Sequence, residues 1–295
     1  MELFEINITT VKSVMLQYAA RATEYIEWLF SKKVRMFELC RIEFSLNCSV
    51  ILLPVMLVAS CGLDWFSVML TVGAALSILL HEIGHAIGGH LVGNPAKEIG
   101  LIACGGYTIL TKVPGATARD ALISAFGPLA NALVVIALVL LETLIFGLTP
   151  WKWACILLYQ MLGDGPYMGF MPSFFHVINA LAIINTYMLL FNLLPAFPLD
   201  GGRVFRCITG RFLSPLSAAS VTMFVARVLA CAIAIRGVIT DLVIDRDIFD
   251  LIIMILAAVW IWCGSTAEVW RTEQEEASSM EDPSLDAECI FQKKE

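Results

Sequence analysis

Charge is what this 295-residue chain has little of. Only 15% of its residues are Asp, Glu, Lys or Arg, against 59% that are hydrophobic. Soluble globular chains carry about 25% charged residues, so a polytopic membrane protein is expected. The net charge of −7 argues against a nucleic-acid partner. The nine cysteines are scattered without a C-x-x-C pair, which leaves them as small buried hydrophobes and not as a redox or metal motif. Internal repeats are absent. The first 45 residues hold many charges and no clean apolar run, so no cleavable signal peptide is expected.

Long apolar runs are what the chain does have. Six candidate spans lie at about 45–63, 66–92, 121–147, 174–199, 218–240 and 248–264, each near the roughly 20 residues that cross a bilayer. The apolar segment Trp151–Leu162 is too short and reads as interfacial or re-entrant. The Gly- and Pro-rich stretch Gly163–Ser173 reads as a loop. Residues 1–44 form an N-terminal segment with helical apolar spacing at Val11, Val14, Met15, Tyr18, Ala22, Tyr25, Ile26 and Leu29. It fits a helix lying on the membrane surface, or one packed on the protein's own cytosolic face. Residues 265–295 form an acidic tail, expected to be disordered. Most Lys and Arg flank one side of the spans, while Lys152, Arg236 and Arg246 fall on the other. The bias places both termini in the cytosol.

His81-Glu82-Ile83-Gly84-His85 interrupts the second apolar run near its cytosolic end. An acid at the centre of a membrane helix costs roughly 2.5–3.5 kcal/mol on insertion scales, so a compensating partner is required. Positions i and i+4 share a helix face, which lets His81 and His85 bind one metal ion. Imidazole and the lack of a redox partner point to zinc, one per chain. Glu82 is placed to act as general base. Catalytic zinc takes three protein ligands, so a third donor is needed. Glu142 sits near the outer end of span three and reads as a snorkelling interfacial acid. Asp241 and Asp250 belong with Asp245 and Asp247 to an outer polar turn. Asp200 lies at the inner end of span four, at the depth of the His pair, within Asn192-Leu193-Leu194-Pro195-Ala196-Phe197-Pro198-Leu199-Asp200-Gly201-Gly202-Arg203. Its prolines break the helix and its glycines let the chain turn closely. Asn192 could donate a hydrogen bond to a developing oxyanion.

Other polar residues carry less. His90 reads as interfacial, His176 as an outer-end residue, and Arg227 as paired or snorkelling. Gly84 and Gly88 form a small-xxx-small pair for close helix approach. Between spans two and three, β-prone runs flank Gly105-Gly106, a hairpin turn signal. That hairpin is either an edge strand that pairs with an extended substrate or a structural loop.

HEIGH in one span and NLLPAFPLDGGR in a later one resemble the site-2 protease family of intramembrane zinc metalloproteases. Phe126-Gly127-Pro128-Leu129-Ala130-Asn131 in span three resembles the family's Gly-Pro…Asn segment. The resemblance implies an all-α polytopic membrane fold of about six spans with a small β-hairpin beside the active site. It implies a six-span protease domain over 45–264, with His81, His85 and Asp200 as zinc ligands. It implies Glu82 as catalytic acid–base and Asn192 near the scissile carbonyl. It implies the lipid bilayer and a transmembrane protein substrate as partners, in regulated intramembrane proteolysis; a homo-oligomer is left open. The family's inserted PDZ and C-terminal CBS modules are not expected here, since the gaps between spans and the tail after the last span are short. The competing readings are a metal-ion transporter built on the same His/Asp site and an inactive zinc-binding protein. Glu82 between the histidines weighs against both.

Overall fold

The computed structural model describes residues 32–55, 65–102, 105–112, 118–147, 152, 173–240 and 248–281. Among these, five helices are long and apolar enough to cross a membrane. They are α1 (Trp65–Leu91), α2 (Ala118–Phe146), α3 (Ser173–Asn192), α5 (Pro215–Gly237) and α6 (Ile248–Glu281); the short α4 (Asp200–Thr209) lies between α3 and α5. The first expected span begins differently. Residues 45–47 close a strand, Cys48–Ile51 form a 3-10 turn, and 56–64 lie outside the described residues. The amphipathic N-terminal segment before residue 32 and the stretches around 153–172 also lie outside them.

The helices are apolar outward and small or polar inward. On α1, Val68, Val72, Leu76 and Leu80 recur every fourth residue and are exposed, while Ser67, Ala74, Ser77, His81 and Gly84 are buried. On α2, Leu129, Leu133, Ile136, Leu140 and Leu144 form the exposed stripe, and Ser124, Gly127 and Asn131 face inward. Lipid takes the outer stripe, and small inner residues let backbones approach. Gly84 is such a residue, because a Cβ there would run into the Phe126 carbonyl of α2.

The expected hairpin is present, and it belongs to a larger sheet. Strands β1 (Lys33–Leu39), β2 (Ile42–Asn47), β3 (Ala96–Ile102) and β4 (Gly105–Leu110) lie in the order β1-β2-β3-β4. The pairs β1/β2 and β3/β4 are antiparallel, and β2/β3 are parallel. A parallel pair needs a long crossover, and here α1 lies within it. Gly105 and Gly106 open β4 and do not form the turn. The run Ile42-Glu43-Phe44-Ser45-Leu46-Asn47 alternates apolar and polar, a strand signal inside a segment expected to be helical or spanning. The sheet docks on the end of α1 through Ala86, Ala96 and Ile99, with Phe44, Ile83 and Leu110 around them. Gly93, at φ +76, turns the chain from α1 into β3.

Two expectations need correction. The acidic tail is not wholly irregular, since α6 continues unbroken through Glu281. Its polar end is tied to the body: Glu268 accepts from Arg206 of α4 at 2.6 Å, and Glu276 accepts from the Leu216 backbone at 3.1 Å. Glu142 does not snorkel. It is fully buried, with Asn179 of α3 as its polar neighbour, because it falls on the face of α2 that packs against α3 and not on the Leu stripe.

Candidate metal centre

Three elements converge on the HEIGH segment. α1 carries His81, Glu82 and His85 near its C-terminal end, α4 opens with Asp200, and α2 packs against both. Among the described residues, donor atoms of His81, His85 and Asp200 lie within 4.8 Å of one another. His81 Nε2 is 3.1 Å from His85 Nε2 and 3.2 Å from Asp200 Oδ2; His85 Nε2 is 3.3 Å from the same oxygen. All of this happens out of water, with His81 and Glu82 each 5% exposed.

The chain break after α3 presents Asp200. Helical bonding ends with Leu193 N to Leu189 O at 3.1 Å, and tight turns follow, such as Ala196 N to Leu194 O at 2.7 Å. Pro195 and Pro198 lack the N–H that a continued helix needs, and the Phe197–Pro198 peptide is cis. Gly201 and Gly202 then pack so closely that a Cβ on either would overlap the backbone of Leu193–Leu194 or Ala196–Phe197. α4 therefore folds back onto the broken segment. Ala196 and Leu199 are clamped in a core with Ala226, Ala230 and Ile261 of α5 and α6. An acid in the first turn also suits the positive end of the helix dipole.

Hydrogen bonds determine which imidazole nitrogens are bare. Backbone carbonyls only accept, so the Asn185 amide nitrogen donates to the Leu181 carbonyl at 2.8 Å. The Asn185 oxygen then accepts from Asn131 Nδ2 at 2.9 Å, which turns Asn131 Oδ1 toward His81. His81 Nδ1 donates to that oxygen at 2.5 Å, and His85 Nδ1 donates to the Ile123 carbonyl at 2.9 Å. Both Nδ1 atoms carry the hydrogen, so in the neutral rings both Nε2 atoms present lone pairs. These lone pairs face each other and a buried Asp200 oxygen that has no hydrogen-bond donor. Such a set is repulsive without a cation, and two imidazoles with one carboxylate suit zinc. The residues present fit that ion.

Glycines make room for this geometry. A Cβ on Gly127 would overlap both imidazole rings, and one on Gly106 of β4 would overlap the Glu82 side chain. Glu82 is gripped from β4, where Thr108 Oγ1 lies 2.8 Å from its Oε2 and 3.1 Å from its backbone carbonyl. Asn192 closes α3, half-buried, and its amide is not part of the chain of bonds that orients His81. His90 is exposed. Arg227 packs its guanidinium over Trp262 at 4.8 Å and takes no part in the donor group. No role was assigned from the sequence to Asn131, to Asn185, to Ser77 (whose hydroxyl accepts from the Asn185 amide nitrogen at 2.8 Å) or to Thr108. A signal existed for the first three: each is a polar residue in an apolar span, and the argument applied to charged residues extends to them.

The outer strand β4 has a further consequence for access. The sheet ends there, so its far edge carries no partner strand among the described residues, while the side-chain face of β4 that holds Thr108 lies against Glu82.

Similarity to known proteins follows the same lines. The sequence model of Peptidase family M50 matches residues 69–235. A zinc metalloprotease of Methanocaldococcus jannaschii is 23% identical over 237 residues, which is 80% of this chain and 60% of that protein. The chain thus matches less than two thirds of that relative's length. The solved structure of the site-2 protease from Methanocaldococcus jannaschii aligns with a TM-score of 0.53 at 22% identity, covering 81% of this chain and 95% of that one. The likeness in structure is a likeness of fold.

Proposed function

The chain belongs to Peptidase family M50, and on that premise we propose that it is an intramembrane zinc metalloprotease. It cuts peptide bonds in or near the transmembrane segments of other, membrane-anchored proteins. The observation that carries this reading is Glu82 held beside the convergent donors of His81, His85 and Asp200, inside an apolar helix. Zinc bound there would polarise the scissile carbonyl and make water acidic enough to lose a proton near neutral pH.

The rest of the chemistry belongs to the chain. Glu82 takes a proton from water as the water oxygen bonds to the carbonyl carbon. It returns that proton to the amide nitrogen as the C–N bond breaks, leaving one carboxyl and one amine end. Asn192, at the end of α3, is proposed to donate to the carbonyl oxygen as charge develops. The free edge of β4 is proposed to pair with the substrate backbone, which must leave its helix to expose a peptide bond. Both termini are proposed to lie in the cytosol and the site toward the cytosolic face, a reading the Lys and Arg bias supports. Family members act in regulated proteolysis, commonly after a first cut elsewhere, and the same place is proposed here.

The test is co-expression with tagged single-span membrane proteins whose apolar helices carry a central Asn, Gly or Pro. Wild type should release fragments, and Glu82→Gln should abolish release while bound zinc stays at one per chain. Cleavage that persists in Glu82→Gln with normal zinc would overturn the proposal.

A further inference from the structure

We propose that Thr108 is a positioning residue for Glu82, locking its carboxylate in place through the proton transfer. This rests on the protease reading above and adds to it a residue outside the HEIGH and LDG motifs. Thr108 Oγ1 sits 2.8 Å from Glu82 Oε2 and 3.1 Å from the Glu82 carbonyl. A hydroxyl has one hydrogen and two lone pairs. It donates to Glu82 while the carboxylate is ionised. With the proton held on Oε1, Oε2 still accepts from the same hydroxyl, and the proton stays free to pass to the amide nitrogen. One partner thus holds Glu82 both as it takes the proton and as it gives it back.

The strand is built to place that hydroxyl. Alternate residues of a strand share a face, and Gly106 and Thr108 both face Glu82. Gly106 leaves the space that the Glu82 side chain fills. Tyr107 points to the other face, where its hydroxyl bonds Glu98 at 2.8 Å and Ser45 at 2.9 Å. Its ring fills the space above Gly100 on β3. Lys33 on β1 closes the network on Glu98 at 2.7 Å. The other three strands therefore pin β4 in the register that brings Thr108 to Glu82.

The test compares the full-length chain with Thr108→Val, Thr108→Ser and Glu82→Gln, using the single-span protein that wild type cuts fastest. Valine keeps the shape and removes the hydroxyl; serine restores it. Thr108→Val is expected to lower kcat about tenfold or more, with KM and zinc content unchanged. Thr108→Ser should recover most of that loss. A Thr108→Val enzyme with wild-type kcat would overturn the proposal. So would an equal loss in Thr108→Ser, or a loss that tracks missing zinc or poor folding, because each marks a structural role. Glu82→Gln separates the two readings: if it still cuts, the protease assignment itself fails, whatever Thr108 does.

Discussion

Asn131 shows how one neutral residue can set the tautomer of a proposed metal ligand. Its Oδ1 accepts from His81 Nδ1, and its amide group bonds Asn185, so the Nε2 lone pair of His81 faces the other donors. Replacing Asn131 with Leu removes the acceptor and leaves Asn185 short of a donor. Zinc affinity should then fall about 10- to 100-fold, the usual effect of losing a residue that orients a ligand. Competition with a chromophoric chelator measures it, and unchanged affinity would show that His81 needs no such partner. The Asn131 position was visible in the sequence as part of a Gly-Pro…Asn segment. Its role was not, because Asn185 lies 54 residues away in another helix.

At the scale of elements, the sheet carries its own electrostatic latch. Burial works against the charge of Glu98, yet hydrogen bonds from Lys33, Ser45 and Tyr107 outweigh it and hold the carboxyl below its ordinary value. The hydrogen bond to Glu98 raises Lys33 in turn. A carboxyl with a folded-state value below its unfolded one stabilises above the ordinary carboxylate range, about pH 4.3 for Glu. That contribution is lost as pH falls through the folded value. Lys33 works the other way, stabilising below its ordinary value and losing that effect in strong alkali. Acidification should therefore lower the protection of the Lys33–Leu39 amides relative to their intrinsic exchange rates, and Glu98→Gln should remove that loss of protection. Exchange measured by mass spectrometry on the two proteins decides it; identical pH profiles would mean the latch contributes nothing. The β3/β4 pairing could be expected from local β-prone runs. The pairing of β2 with β3 could not, because a membrane helix separates the two strands in sequence.

For the whole molecule, the proposed metal site is where α1 meets α4. An ion bound there would join them directly, in addition to the packing of α2 against both. A ligand that binds only the folded state stabilises it by about 2.7 kcal/mol at a hundred times its Kd. Chelation should thus lower the thermal unfolding temperature of the purified protein, and added zinc should restore it. Glu82→Gln should keep that shift, while Asp200→Ala should lose it. Differential scanning measurements in detergent would show this; a zinc-dependent shift that survives Asp200→Ala would remove Asp200 from the ligand set. Five membrane-length helices among the described residues match the apolar runs expected from about residue 66 onward. The end of α6 does not match, because ion pairs such as Arg271–Glu268 and the anchor on Arg206 extend a helix whose composition alone reads as tail.

By itself, the sequence determined the membrane class, the His81/Glu82/His85 constellation and the depth at which Asp200 had to be found. Those features follow from hydropathy, helical spacing and the cost of charge in lipid, all of which act over short stretches of chain. Only the tertiary structure decided the rest. The bare Nε2 atoms depend on carbonyl and amide partners from two other helices. The grip on Glu82 depends on a strand whose register is set by a four-strand sheet. Hydrogen bonds between elements far apart in the chain leave no period in the sequence, so the folded contacts alone could reveal what Asn131 bonds to and that Thr108 grips Glu82.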